Sequence, residues 1–469
     1  MIILRGSAVA TTVVGLAVIL SPFTMTDGRS NDHGPPQQEG AAQKVPLELL
    51  HFGEAEYTLH RLSGGEERSY SVLTDSVLFK QGDQYILADQ ATFLDQQEEV
   101  RLRGNVRGWE PSWKFRADDV IYRGQDRMII ATGNVRAENL NDGSEVTAGQ
   151  IRFNRDTGEG VASASPYLFQ PPGDSTAAAT EVIGRPGARL RFRRDAEWAE
   201  ITGGAEVVRG EITVSGEWLR TEDGQQILLV RDNVIFIKGG ITATGDDLSW
   251  DENTGLARLK GDPPRLLRHA ARQEGSRDSV WTTMTADSLD LIIHDEILES
   301  VLLNGKGELT TITRPAPGSM ITRPDSTRVP AQPEYMVLKG SEILITLNEE
   351  SMEHLEAVRA AMYYWREDVP YRQSAMGGNE LDIGFENGDP TVVESRGNAV
   401  TRYFDNLDEE ESGLQRAMAA MIKLTLEDGD LKLAFLENGN AAYYSADHVS
   451  RGLVPMAVHP DSIKVGARR

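Results

Sequence analysis

The feature that most constrains this chain is a pattern written repeatedly between Ala88 and Phe169, with a period near thirty residues. Each of the first two copies opens on an Ala-Asp pair, at Ala88-Asp89 and at Ala117-Asp118. A Gly-Asn-Val triplet follows each pair and begins at Gly104 or Gly133, and a third copy opens at Ala148. A fixed period of this length indicates stacked structural units, each built from the same few strands or helices.

Alternation inside each copy is typical of half-buried β-strands. Val100, Leu102 and Val106 alternate with charged or polar residues, and side chains two residues apart in a strand share a face. Gly104 and Gly133 fall within such strands, where glycine marks a bulge or a bend, so we expect each unit to fold over there. Self-alignment puts apolar residues in matching columns that would form stripes along a stack: Ile86, Phe115 and Val146; Ala91, Val120 and Ile151; Phe93, Tyr122 and Phe153; Val100 and Ile129; Val106 and Val135.

The block then recurs further along the chain. The segment from Phe153 to Gly158 corresponds to the segment from Trp250 to Gly255. Gly204-Ala205 and Asp232-Asn233 occupy the positions of the two Gly-Asn pairs of the first block. We therefore predict these divisions: a signal peptide or membrane anchor at 1–26, a linker at 27–53, blocks at 54–170 and 188–267, a C-terminal β region at 280–312 and 334–452, and a tail at 453–469. In the C-terminal region, Ser351 to Trp365 is compatible with a strand or a helix, because short apolar runs are ambiguous.

Composition narrows the function classes. The formal net charge of -24 would repel nucleic acid, so no nucleic-acid partner is expected. The chain has no cysteine, which excludes disulfides, iron-sulfur clusters and cysteine-ligated zinc. At the N-terminus, Arg5 precedes an uncharged, largely apolar run from Gly6 to Thr26, and a polar stretch follows. This order predicts an N-terminal apolar helix that serves as an export signal or as an uncleaved anchor formed by residues 2–25.

The Ala-Asp openings and the Gly-Asn-Val returns resemble the OstA-like domain of bacterial lipopolysaccharide transport, found in LptA, LptC and the periplasmic domain of LptD. The resemblance is best from Tyr70 to Phe169, good from Leu190 to Leu267 and weaker from Val280 to Tyr444. It implies an all-β fold of repeated antiparallel jellyrolls, the β-taco, in an elongated stack of short strands with an apolar interior for acyl chains. It implies no catalytic residue and no cofactor.

The apolar columns are the expected lipid groove, although ordinary core packing explains each of them equally well. The groove candidates are Ile86, Phe93, Val100, Leu102, Val106, Phe115, Val120, Tyr122, Ile129, Val135, Val146, Ile151 and Phe153.

Charged motifs outside these columns have simpler explanations than chemistry. Asp118-Asp119 and Asp246-Asp247 are adjacent pairs on strands, so their side chains point to opposite faces and a catalytic pair is not expected. Turn chemistry explains the acidic run that begins at Asp251 better than calcium does. Arginines at 189, 191 and 193 would face one side of a strand, either as a solvated edge or toward lipid phosphates. The eight histidines show no close pairing, so no metal site is assigned.

These observations lead to a non-enzymatic, periplasmic, lipid-binding bridge protein that carries lipopolysaccharide or a related glycolipid toward the outer membrane. Expected partners are that lipid and other Lpt-type bridge components, with possible head-to-tail self-association. The alternative is a β-solenoid scaffold or adhesin that polymerises through its sheet edges and carries no lipid.

Overall fold

A computed structural model describes the chain from residue 48 to residue 449, except 62–66, 95–97, 142, 155, 173–177, 194–197, 223–226, 262, 272–277, 295–296, 323–327, 349–350, 369, 371, 387–388, 405–412, 428–429 and 447–448. The expected N-terminal helix and the tail at 453–469 lie outside the described residues. Within the described part, no helix is long and apolar enough to cross a membrane. The predicted all-β class is confirmed, and the chain divides into two compact units, Met1–Arg231 and Asp232–Arg469. The boundary falls inside the predicted block at 188–267.

The described part of unit 1 consists of strands, and half of them are ten to twelve residues long. They are β1 (Glu48–His51), β2 (Glu54–Arg61), β3 (Glu67–Gln81), β4 (Gln84–Leu94), β5 (Glu99–Trp109), β6 (Trp113–Arg123), β7 (Met128–Asn139), β8 (Glu145–Asn154), β9 (Glu159–Ser163), β10 (Tyr167–Gln170), β11 (Thr180–Gly184), β12 (Arg189–Arg193), β13 (Trp198–Arg209) and β14 (Ile212–Glu222). The unit boundary lies within β15 (Ile227–Lys238).

Unit 2 has longer strands, several of fourteen to eighteen residues. They are β16 (Ile241–Asp251), β17 (Leu256–Lys260), β18 (Arg265–Ala271), β19 (Ser279–Thr285), β20 (Ser288–His294), β21 (Ile297–Arg314), β22 (Met320–Thr322), β23 (Arg328–Pro330), β24 (Glu334–Asn348), β25 (Ser351–Arg366), β26 (Ser374–Glu386), β27 (Asp389–Phe404), β28 (Leu414–Glu427), β29 (Asp430–Glu437) and β30 (Asn440–Tyr444). The ambiguous segment at Ser351 is thus strand β25.

Each long strand in unit 1 is divided by a bulge into two arms. From β3 to β8 the strands pair antiparallel with their neighbours in sequence, and each pairing shifts register in its middle. Beyond β8 the division becomes a complete break, because β8 pairs with β9 along one half and with β10 along the other. The separate halves β12 and β11 continue the two arms and rejoin on the long strand β13.

Unit 2 repeats this arrangement. Strand β16 pairs with β17 and β18, these pair with β20 and β19 respectively, and the 18-residue strand β21 joins the two arms again. Strands β24 to β28 follow as antiparallel neighbours, and β29 and β30 share β28 as their partner. A separate hairpin, β22–β23, lies in the connection between β21 and β24.

The bulge is formed by the Gly-Asn pairs that the sequence singled out. Gly104 and Asn105 have φ of 74° and 46°, and Gly133 and Asn134 have φ of 74° and 47°. Two left-handed residues therefore face one residue of the neighbouring strand, which is the count that makes a β-bulge. A side chain on Gly133 would place its Cβ 2.2 Å from Asp118 Oδ2, so glycine is required by space as well as by φ.

The aspartate of each Ala-Asp opening holds this corner. Asn105 Nδ2 donates to Asp89 Oδ2 at 2.8 Å, and Asn134 Nδ2 donates to Asp118 Oδ2 at 2.9 Å. The two halves of the sequence motif are therefore hydrogen-bond partners on adjacent strands. In the second block the corner is Gly203–Gly204, both at φ of 87°. The predicted alignment of Gly204-Ala205 with Gly-Asn was wrong by one residue, since Ala205 is fully buried like Val106.

The arms fold toward each other across a core. Phe79 pairs with Ile86 in one arm and Phe93 pairs with Val100 in the other, yet the rings of Phe79 and Phe93 meet edge to face at 5.9 Å. We call the arm with Phe93 and Val100 the first arm and the arm with Phe79 and Ile86 the second arm. In unit 2 the first arm precedes the corner at Gly305 in β21 and the second arm follows it.

Candidate functional site

The inner face of unit 1 is made of apolar rows that cross successive strands. In the second arm, register joins Phe79, Ile86, Gly108, Phe115, Ala137, Val146, Leu168 and Val182 into one row. In the first arm, register joins Phe93, Val100, Tyr122, Ile129, Phe153, Gly160 and Phe192. The columns found in the sequence are thus alternate members of continuous rows, and the strands between them supply the other members.

All thirteen groove candidates lie on this inner face, and eleven of them are buried. Phe93 and Tyr122 are half-buried, whereas Val100, Ile129 and Phe153 in the same row are buried. Large and small residues alternate: Gly160 accommodates the ring of Phe192, which a side chain at that position would meet at 1.8 Å. Along the described rows from β4 to β8, then, most of the inward side chains are buried, and contact between these residues and lipid stays a prediction.

Unit 2 carries the same kind of apolar row in its second arm. Leu266, Met284, Leu309 and Leu338 are paired across four strands and are at most 1% exposed. Its longer second arm then adds a further row beyond this one, which we call the margin row. Its members are Arg268, Thr282, Thr311, Met336, Tyr364 and Ser374. Thr282 and Thr311 are buried and their hydroxyls lie 3.4 Å apart, so this part of the interior is polar.

A cavity lies between the two arms at the C-terminal end of unit 2. Its volume is about 310 Å³, roughly twice the 150 Å³ of a dry cavity that accepts benzene. Ile422, Leu424 and Leu436 line it from the first arm, and Tyr403 and Tyr443 line it from the second. The inner face is less covered at this end, since Ala434 on the inner face of β29 is exposed. The interior therefore opens at this end, which sequence reasoning missed because the cavity depends on two arms coming together.

The outward face of the same strands carries two arginines. Arg402 and Arg416 are directly opposite on β27 and β28 and line a shallow groove of about 270 Å³ with Val400 and Met418. Burial, and then the charge of Arg416, lowers the pKa of the Arg402 guanidinium below its ordinary value. Its Nε and Nη2 donate to the carbonyl oxygen of Gln373 at 2.9 and 2.6 Å.

The other charged motifs have structural partners. Asp118 accepts from Asn134 at the corner, whereas Asp119 lies 3.9 Å from Arg103, so the two carboxylates do not converge. Asp251 Oδ1 accepts from the backbone N–H of Asn253 at 2.9 Å, as expected for a turn. Arginines 189, 191 and 193 are all on the exposed face of β12, while Leu190 and Phe192 are buried.

Comparison with known proteins identifies a family that part of the chain resembles. No curated protein matches the chain. The crystal structure of LptH, titled the LptA homologous periplasmic component of the conserved lipopolysaccharide transport device from Pseudomonas aeruginosa, is 15% identical, with a TM-score of 0.19; the match covers 33% of this chain and 94% of LptH. Residues 62–159 match the family described as LptA/(LptD N-terminal domain) LPS transport protein. These residues hold the first Ala-Asp and Gly-Asn-Val repeats, so this part of the chain is similar to the LptA and LptD N-terminal domains of lipopolysaccharide transport.

Proposed function

We propose that this protein carries lipopolysaccharide or a related glycolipid through the periplasm toward the outer membrane, with the acyl chains held between the two arms. The observation that carries the proposal is the pair of apolar rows that face each other across unit 1 without a break from β4 to β8. An unbroken apolar row can contact an acyl chain at every strand that it crosses. The family that residues 62–159 match supports a periplasmic or envelope location.

Hydrophobic transfer supplies the affinity without specific polar contacts. Burying one methylene contributes about 0.8 kcal/mol, so a few methylenes per chain are enough to hold a lipid loosely. The rows from β4 to β8 are mostly buried, so acyl chains would enter there by separating the arms, and the half-buried Phe93 and Tyr122 are the row members that a lipid could reach first. In unit 2 the cavity beside Leu424 and Leu436 offers space that needs no such separation. The proposal assigns no catalytic residue and no cofactor.

The end strands suit partners in a bridge. Leu49 and Tyr57 on β1 and β2 are 42% and 65% exposed, and Leu433 and Phe435 on β29 are 62% and 54% exposed. Exposed apolar strands at a sheet end favour addition of a strand from another protein. Other Lpt-type components, or a second copy of this chain arranged head to tail, would pair there. N-terminal tethering by residues 2–25 would fix one end of such a bridge at the inner membrane.

Site-specific photocrosslinking tests the lipid path. A photoreactive residue is placed at Phe115 or Leu436 on the inner face and, as matched controls, at the outward neighbours Arg116 and Leu433. Lipopolysaccharide should crosslink at both inner positions and stay at background at both outer positions. Equal labelling of inner and outer positions, or no labelling at either inner position, would overturn the proposal.

The exposed end strands also fit the alternative of a scaffold that polymerises through its sheet edges. That alternative requires the end strands and does not use the interior. Native mass spectrometry of the full chain purified from membranes separates the two: polymers without co-purifying glycolipid favour the scaffold, and bound glycolipid favours transport.

A further inference from the structure

Three potential metal ligands meet on the outward face of unit 2. Glu356 on β25 lies directly opposite Asp382 on β26, and His354 lies two residues before Glu356 on the same face. One ligand atom from each lies within 4.8 Å of the other two. The sequence alone did not reveal this group, because Asp382 is twenty-eight residues after His354 and approaches it only through strand pairing.

The distances fit a tetrahedral ion. His354 Nε2 lies 3.3 Å from Glu356 Oε1 and 3.5 Å from Asp382 Oδ2. Two ligands bound tetrahedrally to zinc at about 2.1 Å are separated by about 3.4 Å, from the bond length and the tetrahedral angle. Both separations from the imidazole nitrogen therefore already match edges of the coordination tetrahedron, and only the carboxylates need to adjust to each other.

The charges around the group also call for a cation. Glu356, Asp382 and Glu394 are consecutive cross-strand partners on three strands, and like charges directly opposite each other destabilise a sheet. Glu394 is compensated by Arg396 and by Lys423, the latter at 3.3 Å. For Glu356 and Asp382, His354 is the group that reaches both carboxylates. A divalent cation between them would offset two negative charges at once.

We propose that His354, Glu356 and Asp382 bind a Zn²⁺ ion, with water as the fourth ligand. An imidazole nitrogen beside carboxylate oxygens is a zinc donor set, whereas calcium and magnesium take oxygen alone. Side-chain exposures of 36%, 60% and 40% leave the ion accessible from solvent. The ion would join β25 to β26 independently of lipid, since the group lies on the face opposite the buried Leu355, Ala357 and Leu381.

Isothermal titration of the chelator-treated full chain with zinc chloride tests the site. We expect one ion per chain. His354→Ala and Asp382→Asn should each weaken zinc binding by more than about tenfold, because changing a residue that only supports a ligand already costs about tenfold and these changes remove a ligand itself. The matched control is His294→Ala, which removes a histidine from an outward His–Glu pair, His294 Nδ1 to Glu299 Oε2 at 2.9 Å, on β20 and β21. This control should bind zinc like the unaltered chain.

X-ray absorption of the zinc-loaded chain provides a second measurement. It should give nitrogen and oxygen ligands at about 2.0–2.2 Å and no sulfur, since the chain has no cysteine. Asp382→Asn keeps the size of the side chain, so it separates loss of a ligand from misfolding. The proposal is refuted if the unaltered chain binds no zinc at one to one, or if both variants bind as tightly as the control.

Discussion

The second arms of the two units differ in length and agree in apolar width. In unit 1 the second arm of β5 ends at Trp109, four residues beyond the corner pair Gly104–Asn105, and its apolar row contains Phe115. In unit 2 the second arm of β21 continues for eight residues after Gly305–Lys306, to Arg314. Its apolar row contains Leu309, and the added residues form the polar margin row. At β19 and β21, where the margin row holds Thr282 and Thr311, the longer strands have therefore widened the sheet without widening the apolar surface.

The corner is the part that both units share most closely. Asp287 stands beside Gly305 as Asp118 stands beside Gly133, with Oδ2 at 2.4 and 2.2 Å from where a Cβ would lie. Since the corner sets where each strand turns, it fixes the first rows of both arms, whereas rows farther out can change in length and polarity. Four predictions test this division, beginning with the largest expected effect.

Truncation of the apolar row should be costly in both units. Phe115→Ala should destabilise unit 1 by about 3–5 kcal/mol and Leu309→Ala should destabilise unit 2 by about 2–5 kcal/mol, because each leaves a cavity in a packed interior. Hydrogen exchange followed by mass spectrometry reads the two units separately. The outward Arg116→Ala is the control, expected within about 0.5 kcal/mol. A small effect at Leu309 alone would break the equivalence of the two rows.

Substitution at the corner should be next in size. Gly133→Ala should cost about 3 kcal/mol, since a left-handed alanine costs about 1–2 kcal/mol and the clash with Asp118 also weakens its bond to Asn134. Gly187→Ala is the matched control: Gly187 has φ of 89° and no atom within 4 Å of the added Cβ, so only the backbone cost remains. Equal losses of stability in urea unfolding would show that Asp118 does not hold the corner.

Exchange of polarity between the rows should give a smaller, asymmetric result. Val146→Thr brings a hydroxyl into the apolar row of unit 1 and should cost about 1–3 kcal/mol. Thr311→Val removes a hydroxyl from the margin row and leaves the buried Thr282 without that 3.4 Å contact. The cost of about 1–3 kcal/mol for an unsatisfied buried hydroxyl is offset in part by about 0.8 kcal/mol from the added methyl group, so the net loss should be smaller than for Val146→Thr. Thermal unfolding of the two variants measures the difference. A larger loss for Thr311→Val would show that the margin row is part of the essential core.

The smallest effect concerns Tyr167 on β10. Burial first, and then Glu181 and Glu145, raise the pKa of this phenol above its ordinary value of 10.0. A raised folded-state pKa means that the stability contributed by neutral Tyr167 is complete below about pH 10 and is lost as pH rises through the folded-state value. Tyr167→Phe loses the hydrogen bond to Glu181 and should be slightly less stable than the unaltered chain at pH 8. Because it cannot ionise, it should lose less stability than the unaltered chain between pH 8 and alkaline buffer, as followed by circular dichroism. Identical alkaline profiles would contradict this account.

Much of the fold could be predicted from the residue pattern of the repeat. Gly104 and Gly133 predicted where strands bend, and self-alignment predicted which apolar residues share a position. Three features could not be predicted, because they depend on pairing between strands. They are the broken halves β9 and β10, the margin row, and the approach of Asp382 to His354. Each bulge changes which residues face inward, so alternation along one strand no longer tells its two faces apart.

The order of strand pairing has a consequence for how unit 1 acquires its structure. From β3 to β8 each strand pairs with the one that precedes it in the chain. Contacts between sequence neighbours close short loops, which lowers the contact order and favours fast assembly. Growth can begin on any hairpin and continue by adding one strand at a time, as in other repeat proteins. A chain that emerges N-terminus first can therefore fold as it emerges, because each new strand pairs with a strand that is already in place.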